Sequence, residues 1–265
     1  MALPEVFART AAEGRAALII YVTAGDPSLA ATVEIVDRIA QAGADIVELG
    51  IPYSDPLADG PLIQAAGQRA LRAGTTVAGV LEAARQIHER CAVPLLVMTC
   101  YNPILQFGPE QFAERAAAAG IAAVLISDLP PEESEEWVGI AAAHGLETIF
   151  LVAPTTEPER MELVCRLSTG FVYVVSRPGT TGVREDLPPD LSGLLERLRG
   201  LTDRPLAVGF GLSTPEQVAV VARQADGAIV GSAVVKLIAE SPSGEARLRA
   251  VESFVRRLAE ATRRD

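Results

Sequence analysis

Residues 44–50 read Ala44-Asp45-Ile46-Val47-Glu48-Leu49-Gly50, the pattern of a short buried β-strand. Side chains alternate between the two faces of a strand, so Glu48 shares one face with Ile46 while Val47 and Leu49 lie on the other. If Val47 and Leu49 pack outward against helices, Glu48 points toward the interior near the carboxyl end of the strand. An ionised glutamate is costly there unless it is solvated, paired or protonated, so this position indicates chemistry more often than stability. The alternative is a capping or salt-bridged glutamate at a strand end.

The loop that follows this strand adds acidic and rigid residues. Residues 51–61 read Ile51-Pro52-Tyr53-Ser54-Asp55-Pro56-Leu57-Ala58-Asp59-Gly60-Pro61. From Glu48 onward the stretch holds three carboxylates and three prolines. A surface loop does not need that combination, and we therefore expect this loop to serve a functional site.

Short β-branched runs alternate with longer helical stretches along the whole chain. Strands are predicted at residues 17–23, 44–50, 94–101, 122–127, 147–152, 170–176, 205–209 and 227–230. Amphipathic helices are predicted at residues 30–42, 79–90, 109–119, 132–144, 157–167, 190–201, 214–224 and 245–263, and an extra helix at 4–13 precedes the first strand.

Eight βα units without a linker-like segment predict one (β/α)8 barrel domain over residues 1–265, with an extra N-terminal helix. A hydrophobic content of 49% is ample for such a core. An open doubly wound sheet would normally carry Gly-x-Gly-x-x-Gly after its first strand. Here that strand ends in Thr23-Ala24-Gly25-Asp26-Pro27, so the signature is missing.

Composition excludes several classes of partner. The formal net charge of −11 argues against nucleic acids and anionic membranes, since either needs a basic footprint. No apolar run reaches membrane-spanning length, and residues 1–15 lack the apolar block of a signal peptide. The odd number of cysteines, without metal-site spacing, indicates buried thiols in a reducing cytosol. These are Cys91, Cys100 and Cys165. We therefore expect a cytoplasmic protein without a metal.

The unusual polar residues fall in the loops after the predicted strands, where (β/α)8 barrels carry their chemistry. They are Asp26, Glu48, Asp55, Asp59, Asn102, Asp128, Arg177 and the late glycines. Random placement would scatter them over both ends of the barrel, so their common position strengthens a functional interpretation of Glu48.

Glycines in three consecutive late loops predict a phosphate site. They follow the sixth, seventh and eighth strands in Ser176-Arg177-Pro178-Gly179-Thr180-Thr181-Gly182, Gly209-Phe210-Gly211 and Gly231-Ser232, and the last pair opens a helix. Glycine lets backbone N–H groups approach an anion, and a helix amino terminus adds a favourable dipole. The alternative is that the glycines only serve tight turns. Neutral backbone donors would hold a dianion even on an acidic protein.

The stretch from Glu48 to Pro61, followed by Ile63-Gln64-Ala65-Ala66, closely resembles the signature of the tryptophan synthase α subunit family. Further segments resemble the family in order across essentially the whole chain. These are Tyr21-Val22-Thr23-Ala24-Gly25-Asp26-Pro27, Tyr101-Asn102-Pro103, Ser127-Asp128-Leu129-Pro130, Ala153-Pro154-Thr155, Gly209-Phe210-Gly211 and Gly231-Ser232. The resemblance implies a (β/α)8 barrel that cleaves indole-3-glycerol phosphate to indole and glyceraldehyde 3-phosphate. It also implies docking on a pyridoxal-phosphate-dependent β subunit in an α2β2 complex.

The resemblance implies a role for ten residues. Glu48 is implied as the general acid/base and Asp59 as the second catalytic carboxylate. Phosphate binding is implied for Gly182, Gly211, Gly231 and Ser232, and a substrate-lining or site-closing role for Tyr21, Tyr173, Thr181 and Phe210. One loop departs from the usual Gly-Val-Thr-Gly of the family, since this chain has Gly179-Thr180-Thr181-Gly182 after Pro178. A stiffer loop bears on closure and its control by a partner rather than on the chemistry.

The implied reaction is a retro-aldol cleavage that needs no metal or organic cofactor. A carboxyl group with a pKa near neutrality can protonate the indole C3 and then take the proton of the glycerol hydroxyl. Burial would raise the pKa of Glu48 toward neutrality. An ionised Asp59, expected on a more solvated loop, can accept the ring N–H. His88 and His144 lie late in predicted helices, on the far side from the strand ends.

Three other interpretations stay open from the sequence. Another phosphate-binding barrel, such as a phosphosugar isomerase, would keep the late glycines without the pair of carboxylates. A stand-alone indole-3-glycerol-phosphate lyase would need no partner. A non-catalytic scaffold that activates a synthase partner would need neither the carboxylates nor the phosphate loops.

Overall fold

The computed structural model describes residues 2–57, 59–175, 191–209 and 211–264. Within them, eight parallel strands follow one another around a closed barrel, and the last strand pairs with the first. The strands are β1 Ala17–Thr23, β2 Ile46–Gly50, β3 Leu95–Thr99, β4 Ile121–Ile126, β5 Glu147–Val152, β6 Val172–Val175, β7 Leu206–Gly209 and β8 Gly227–Val230. The predicted (β/α)8 barrel is confirmed.

Helices surround the barrel and lie between its strands. They are α1 Leu3–Ala12, α2 Leu29–Gln41, α3 Pro61–Arg72, α4 Val77–Arg90, α5 Tyr101–Phe107, α6 Pro109–Ala118, α7 Glu135–Ala143, α8 Pro158–Leu167, α9 Leu191–Arg199, α10 Pro215–Ala222, α11 Ser232–Glu240 and α12 Glu245–Glu260. The extra helix before the first strand is confirmed as α1. Two helices, α3 and α5, had not been predicted, and of α11 only the start at Gly231-Ser232 had been. Helix α5 shortens β3 because Tyr101 begins a helix rather than ending a strand.

Two apolar layers hold the strands in place. Val47 and Leu49 belong to the large cluster between the barrel and its helices, whereas Ile46 belongs to the cluster inside the barrel. The predicted alternation along β2 is therefore confirmed, and it turns Glu48 inward. Phe7 of α1 reaches the inner cluster and packs on Phe171, with ring centroids 5.6 Å apart. Helix α1 thus covers one end of the barrel and leaves the other end for a site.

The two histidines stand apart from that site, and the three cysteines differ in burial. Cys165 is buried, but Cys91 and Cys100 are only half-buried, so the prediction of three buried thiols was wrong for two of them. Both exceptions lie where the chain leaves an element, at the end of α4 and just after β3, and packing covers only one side there. His88 is exposed near the end of α4, and His144 follows α7.

None of the helices in the described part of the chain is both long and apolar enough to cross a membrane.

Candidate active site

A cavity opens at the carboxyl ends of the strands and gathers most of the predicted site residues. It offers about 440 Å³ of space free of protein atoms, part of which is open to solvent. Its lining is Tyr21, Glu48, Asp59, Ile63, Met98, Tyr173, Gly211, Ile229, Gly231 and Ser232. Seven of these ten had been proposed from the sequence. Three further predicted residues, Thr181, Gly182 and Phe210, lie outside the described residues.

Glu48 projects into the cavity from β2 and is 1% exposed. Its Oε1 atom is buried and has no hydrogen-bond partner among the described residues. Burial, and to a lesser degree the charge of Asp59, raises the pKa of Glu48 to about 8. A carboxyl group with such a pKa can both donate and accept a proton near neutral pH.

Asp59 lies near the end of the loop between β2 and α3 and is 9% exposed. Asp59 is therefore less buried than Glu48, in the expected direction, although its side chain is still buried because side-chain contacts hold this part of the loop against the barrel. The Nε2 atom of Gln64 donates to the backbone oxygens of Pro56 at 3.1 Å and of Asp59 at 2.8 Å. The hydroxyl of Tyr53 donates to Asp59 Oδ2 at 3.1 Å. Burial raises the pKa of Asp59, and the hydrogen bond from Tyr53 opposes that rise.

Tyr21 and Tyr173 both line the cavity, and glycines make room for both. A Cβ atom added to Gly209 would lie 2.5 Å from the hydroxyl oxygen of Tyr173, and one added to Gly50 would collide with the ring of Tyr21. Burial raises the pKa of both phenols, so each hydroxyl is neutral near neutral pH. The two rings offer flat apolar surface together with a polar tip.

A further part of the cavity wall is rich in backbone groups. Gly231 precedes α11, and Ser232 is the first residue of that helix and is 9% exposed. The N–H groups of a first helical turn have no acceptor within the helix, and they favour an anion. Gly211 approaches the same cavity with a φ of 97°, a conformation that glycine adopts without strain. This end of the cavity is suited to a phosphate group.

The apolar lining of the cavity was not predicted from the sequence. Ile229 and Met98 follow from strand alternation, since both belong to or pack on the cluster inside the barrel. Ile63 lies on the unpredicted helix α3 and therefore gave no comparable signal. These three side chains give the cavity an apolar wall next to the two carboxylates, as a flat aromatic substrate would require.

A second cavity adjoins the first and leads toward the loop after β2. Tyr21, Asp59, Ile63 and Met98 line both cavities, and the second also reaches Tyr53 and Pro56. Among the described residues, no group of three or more His, Cys, Asp or Glu side chains is placed to hold a metal ion. The polar groups that line these two cavities are carboxyl, phenol, hydroxyl and backbone groups.

Comparisons with known proteins agree on one family. The family model described as tryptophan synthase alpha chain matches residues 7–263. A tryptophan synthase alpha chain from Solibacter usitatus is 51% identical over 246 residues, which are 93% of this chain and 92% of the relative. One from Arabidopsis thaliana is 44% identical over 260 residues, 98% of this chain and 94% of the relative. A solved structure of Mycobacterium tuberculosis tryptophan synthase superposes with a TM-score of 0.92 at 38% identity and covers 99% of this chain and 98% of the solved one.

Proposed function

The chain belongs to the tryptophan synthase alpha chain family, and we propose that its cavity at the carboxyl ends of the strands cleaves indole-3-glycerol phosphate with Glu48 and Asp59. As an alpha chain it is a carbon–carbon lyase of tryptophan biosynthesis that yields indole and glyceraldehyde 3-phosphate. Its partner is the tryptophan synthase β subunit. The family resemblance and the lyase activity inferred from the sequence are confirmed.

One observation supports the catalytic proposal above all. Glu48 is a fully buried carboxyl group whose Oε1 atom has no partner among the described residues, and it shares a cavity with a second carboxyl group. A buried polar atom without a protein partner destabilises the fold, so its place in a cavity indicates a role in binding or chemistry rather than in stability. A scaffold that only activated a partner would not need this arrangement.

The reaction assigns a different task to each carboxyl group. Protonated Glu48 donates its proton to the indole C3, which places positive charge on the ring nitrogen. The resulting carboxylate then takes the proton of the glycerol hydroxyl, the bond between C3 and the glycerol carbon breaks, and the hydroxyl carbon becomes the aldehyde. Ionised Asp59 accepts the ring N–H and stabilises the cation. Glu48 thus begins and ends the cycle protonated, in agreement with its pKa of about 8.

The remaining residues would hold the substrate at its two ends. Gly211, Gly231 and Ser232 offer backbone donors and a helix amino terminus to the phosphate. Tyr21 and Tyr173 flank the reacting part of the substrate. Thr181, Gly182 and Phe210, which are not among the described residues, would complete the site. We further propose that residues 1–265 act as one barrel domain in the cytoplasm.

Indole release by two conservative variants tests the catalytic proposal. Glu48→Gln should lose about 10²–10⁴ in rate, because it can neither donate nor accept the proton. Asp59→Asn should also be strongly impaired. Glu147→Gln is a matched control, since burial raises the pKa of Glu147 to about 7 and its side chain accepts the N–H of Leu3 in α1, far from the cavity. More than roughly a tenth of wild-type turnover in Glu48→Gln would overturn the assignment.

A further inference from the structure

Tyr53 makes a contact that the proposed chemistry does not yet use. It lies on the loop between β2 and α3, six positions before Asp59, and its hydroxyl donates to Asp59 Oδ2 at 3.1 Å. The ring is half-buried and lines the second cavity beside Asp59. The phenol therefore contacts the carboxyl group at the junction of the two cavities.

This hydrogen bond is not needed to hold the loop backbone. Gln64 already fixes the backbone oxygens of Pro56 and Asp59 from α3, and the N–H of Asp59 donates to the oxygen of Pro56 at 3.1 Å. Tyr53 instead acts on the carboxyl group itself. By engaging Oδ2 it fixes the plane of the carboxylate and leaves Oδ1 to accept a hydrogen bond from a substrate.

The contact also bears on the charge of Asp59. Burial disfavours the ionised form, and a hydroxyl that donates to the carboxylate favours it. The other titratable groups that face Asp59 are Glu48 from β2, Tyr21 from β1 and Cys100 just after β3, and the charge of Asp59 raises the pKa of each of them. Tyr53 is the one described titratable side chain with a hydrogen bond to this carboxylate. Its own pKa is raised by burial and by Asp59, so it stays a donor across the working pH range.

We propose that Tyr53 is a positioning residue for the cleavage reaction, whose hydroxyl orients the Asp59 carboxylate and keeps it ionised for the ring N–H of the substrate. The inference rests on the proposed role of Asp59. Positive charge develops on the ring nitrogen only as C3 is protonated, so Tyr53 acts mainly on the transition state. Its loss should lower kcat while KM changes little.

The test compares the full chain with Tyr53→Phe, Asp59→Asn and the double variant by steady-state indole release. Tyr53→Phe keeps the ring and its packing, so the fold should persist, which circular dichroism verifies. We expect kcat to fall about tenfold at neutral pH, with KM within about twofold. The acidic limb of the kcat profile should move to higher pH, because Asp59 loses the donor that favours its ionised form. In the Asp59→Asn background, Tyr53→Phe should cause no further loss.

Ser54→Ala is the matched control. It removes another hydroxyl of the same loop that donates to a carboxylate, Asp55, at 2.5 Å, but Ser54 is exposed and lines neither cavity. Its kcat and pH profile should match the wild type. A wild-type kcat and pH profile in Tyr53→Phe, beside an inactive Asp59→Asn, would overturn the inference and leave the proposed function standing. An active Asp59→Asn would overturn the assigned role of Asp59, and the inference with it.

Discussion

Arg69 donates two hydrogen bonds to the buried carboxylate of Asp26, at 2.9 Å from Nε to Oδ1 and 2.7 Å from Nη2 to Oδ2. Asp26 follows β1 and is 5% exposed, and Arg69 lies on α3, the helix that begins just after Asp59. The pair therefore joins the loop after β1 to the helix that anchors the catalytic loop. A bidentate contact of this kind is both strong and directional.

Arg69→Ala should lower the free energy of unfolding by about 2 kcal/mol, because it leaves a buried carboxylate without its cation. The Arg69 side chain is 40% exposed, so water limits the loss to less than that of a fully buried pair. Urea denaturation at neutral pH measures the change. Arg72→Ala, an exposed arginine on the last turn of the same helix, should stay within about 0.5 kcal/mol of the wild type. Equal losses in both variants would contradict a specific role for the pair.

Glu48 should make the fold less stable as the pH rises. Its ordinary pKa of 4.5 rises to about 8 in the folded chain, so between these values the folded state holds a proton that the unfolded state releases. Rising pH therefore favours unfolding over that interval. Glu48→Gln removes the effect and should gain about 3 kcal/mol over the wild type between pH 5 and pH 8, measured by urea denaturation at each pH.

Glu34→Gln controls for the loss of a negative charge, because Glu34 is exposed on α2. Its stability difference from the wild type should not change with pH over the same interval. If Glu48→Gln behaved like Glu34→Gln, the carboxyl group would not be held protonated by its surroundings. The same measurement would then argue against Glu48 as the proton donor.

The inward position of Glu48 could be predicted because strand alternation is a local property. Val47 and Leu49 pack in the apolar layer between the barrel and its helices, so the side chain of Glu48, on the other face of the strand, points inward. The same reasoning could not find the burial of Asp59. That burial depends on the path of the loop, which is held by Gln64 from a helix that was not predicted.

Two helices escaped prediction for local reasons. Helix α3 begins with Gly60 as its N-cap and Pro61 as its first residue, which look like a continuation of the loop although proline is well suited to that position. Helix α5 carries Pro103 in its first turn, where a missing N–H costs nothing. The position of Gly231 and Ser232 at the start of a helix could be predicted, because a helix that opens directly after a strand is recognisable in the sequence.

Gly231→Ala should weaken the binding of glycerol 3-phosphate about tenfold, because the added methyl group lies where the phosphate would approach the first turn of α11. The new Cβ would also lie 3.2 Å from Cβ of Tyr21, which must shift slightly. Indole binding should change less than about twofold, since the apolar wall is intact. Isothermal titration calorimetry with each ligand measures both affinities.

Gly231 is a cleaner position for this test than Gly211, whose φ of 97° would add backbone strain to any substitution. Gly139→Ala is the matched control, because Gly139 lies within α7 and its added Cβ would meet no atom within 4 Å. That variant should bind both ligands as the wild type does. An unchanged affinity for glycerol 3-phosphate in Gly231→Ala would place the phosphate elsewhere.

Leu57 should contribute to docking of the β subunit. It is 88% exposed, although a large apolar side chain is usually at least partly buried. It lies two residues before Asp59 on the proline-rich loop. Pro56 stiffens the loop beside it, so docking would order few additional residues. Leu57→Asp should therefore weaken β-subunit binding at least about tenfold by calorimetry, and the gain in indole release on adding saturating β subunit should shrink.

Leu201→Asp is the matched control, because Leu201 is a 40% exposed leucine after α9 and before β7, at the amino ends of the strands. Equal affinity of the two variants for the β subunit would show that the partner docks away from the loop that carries Asp59.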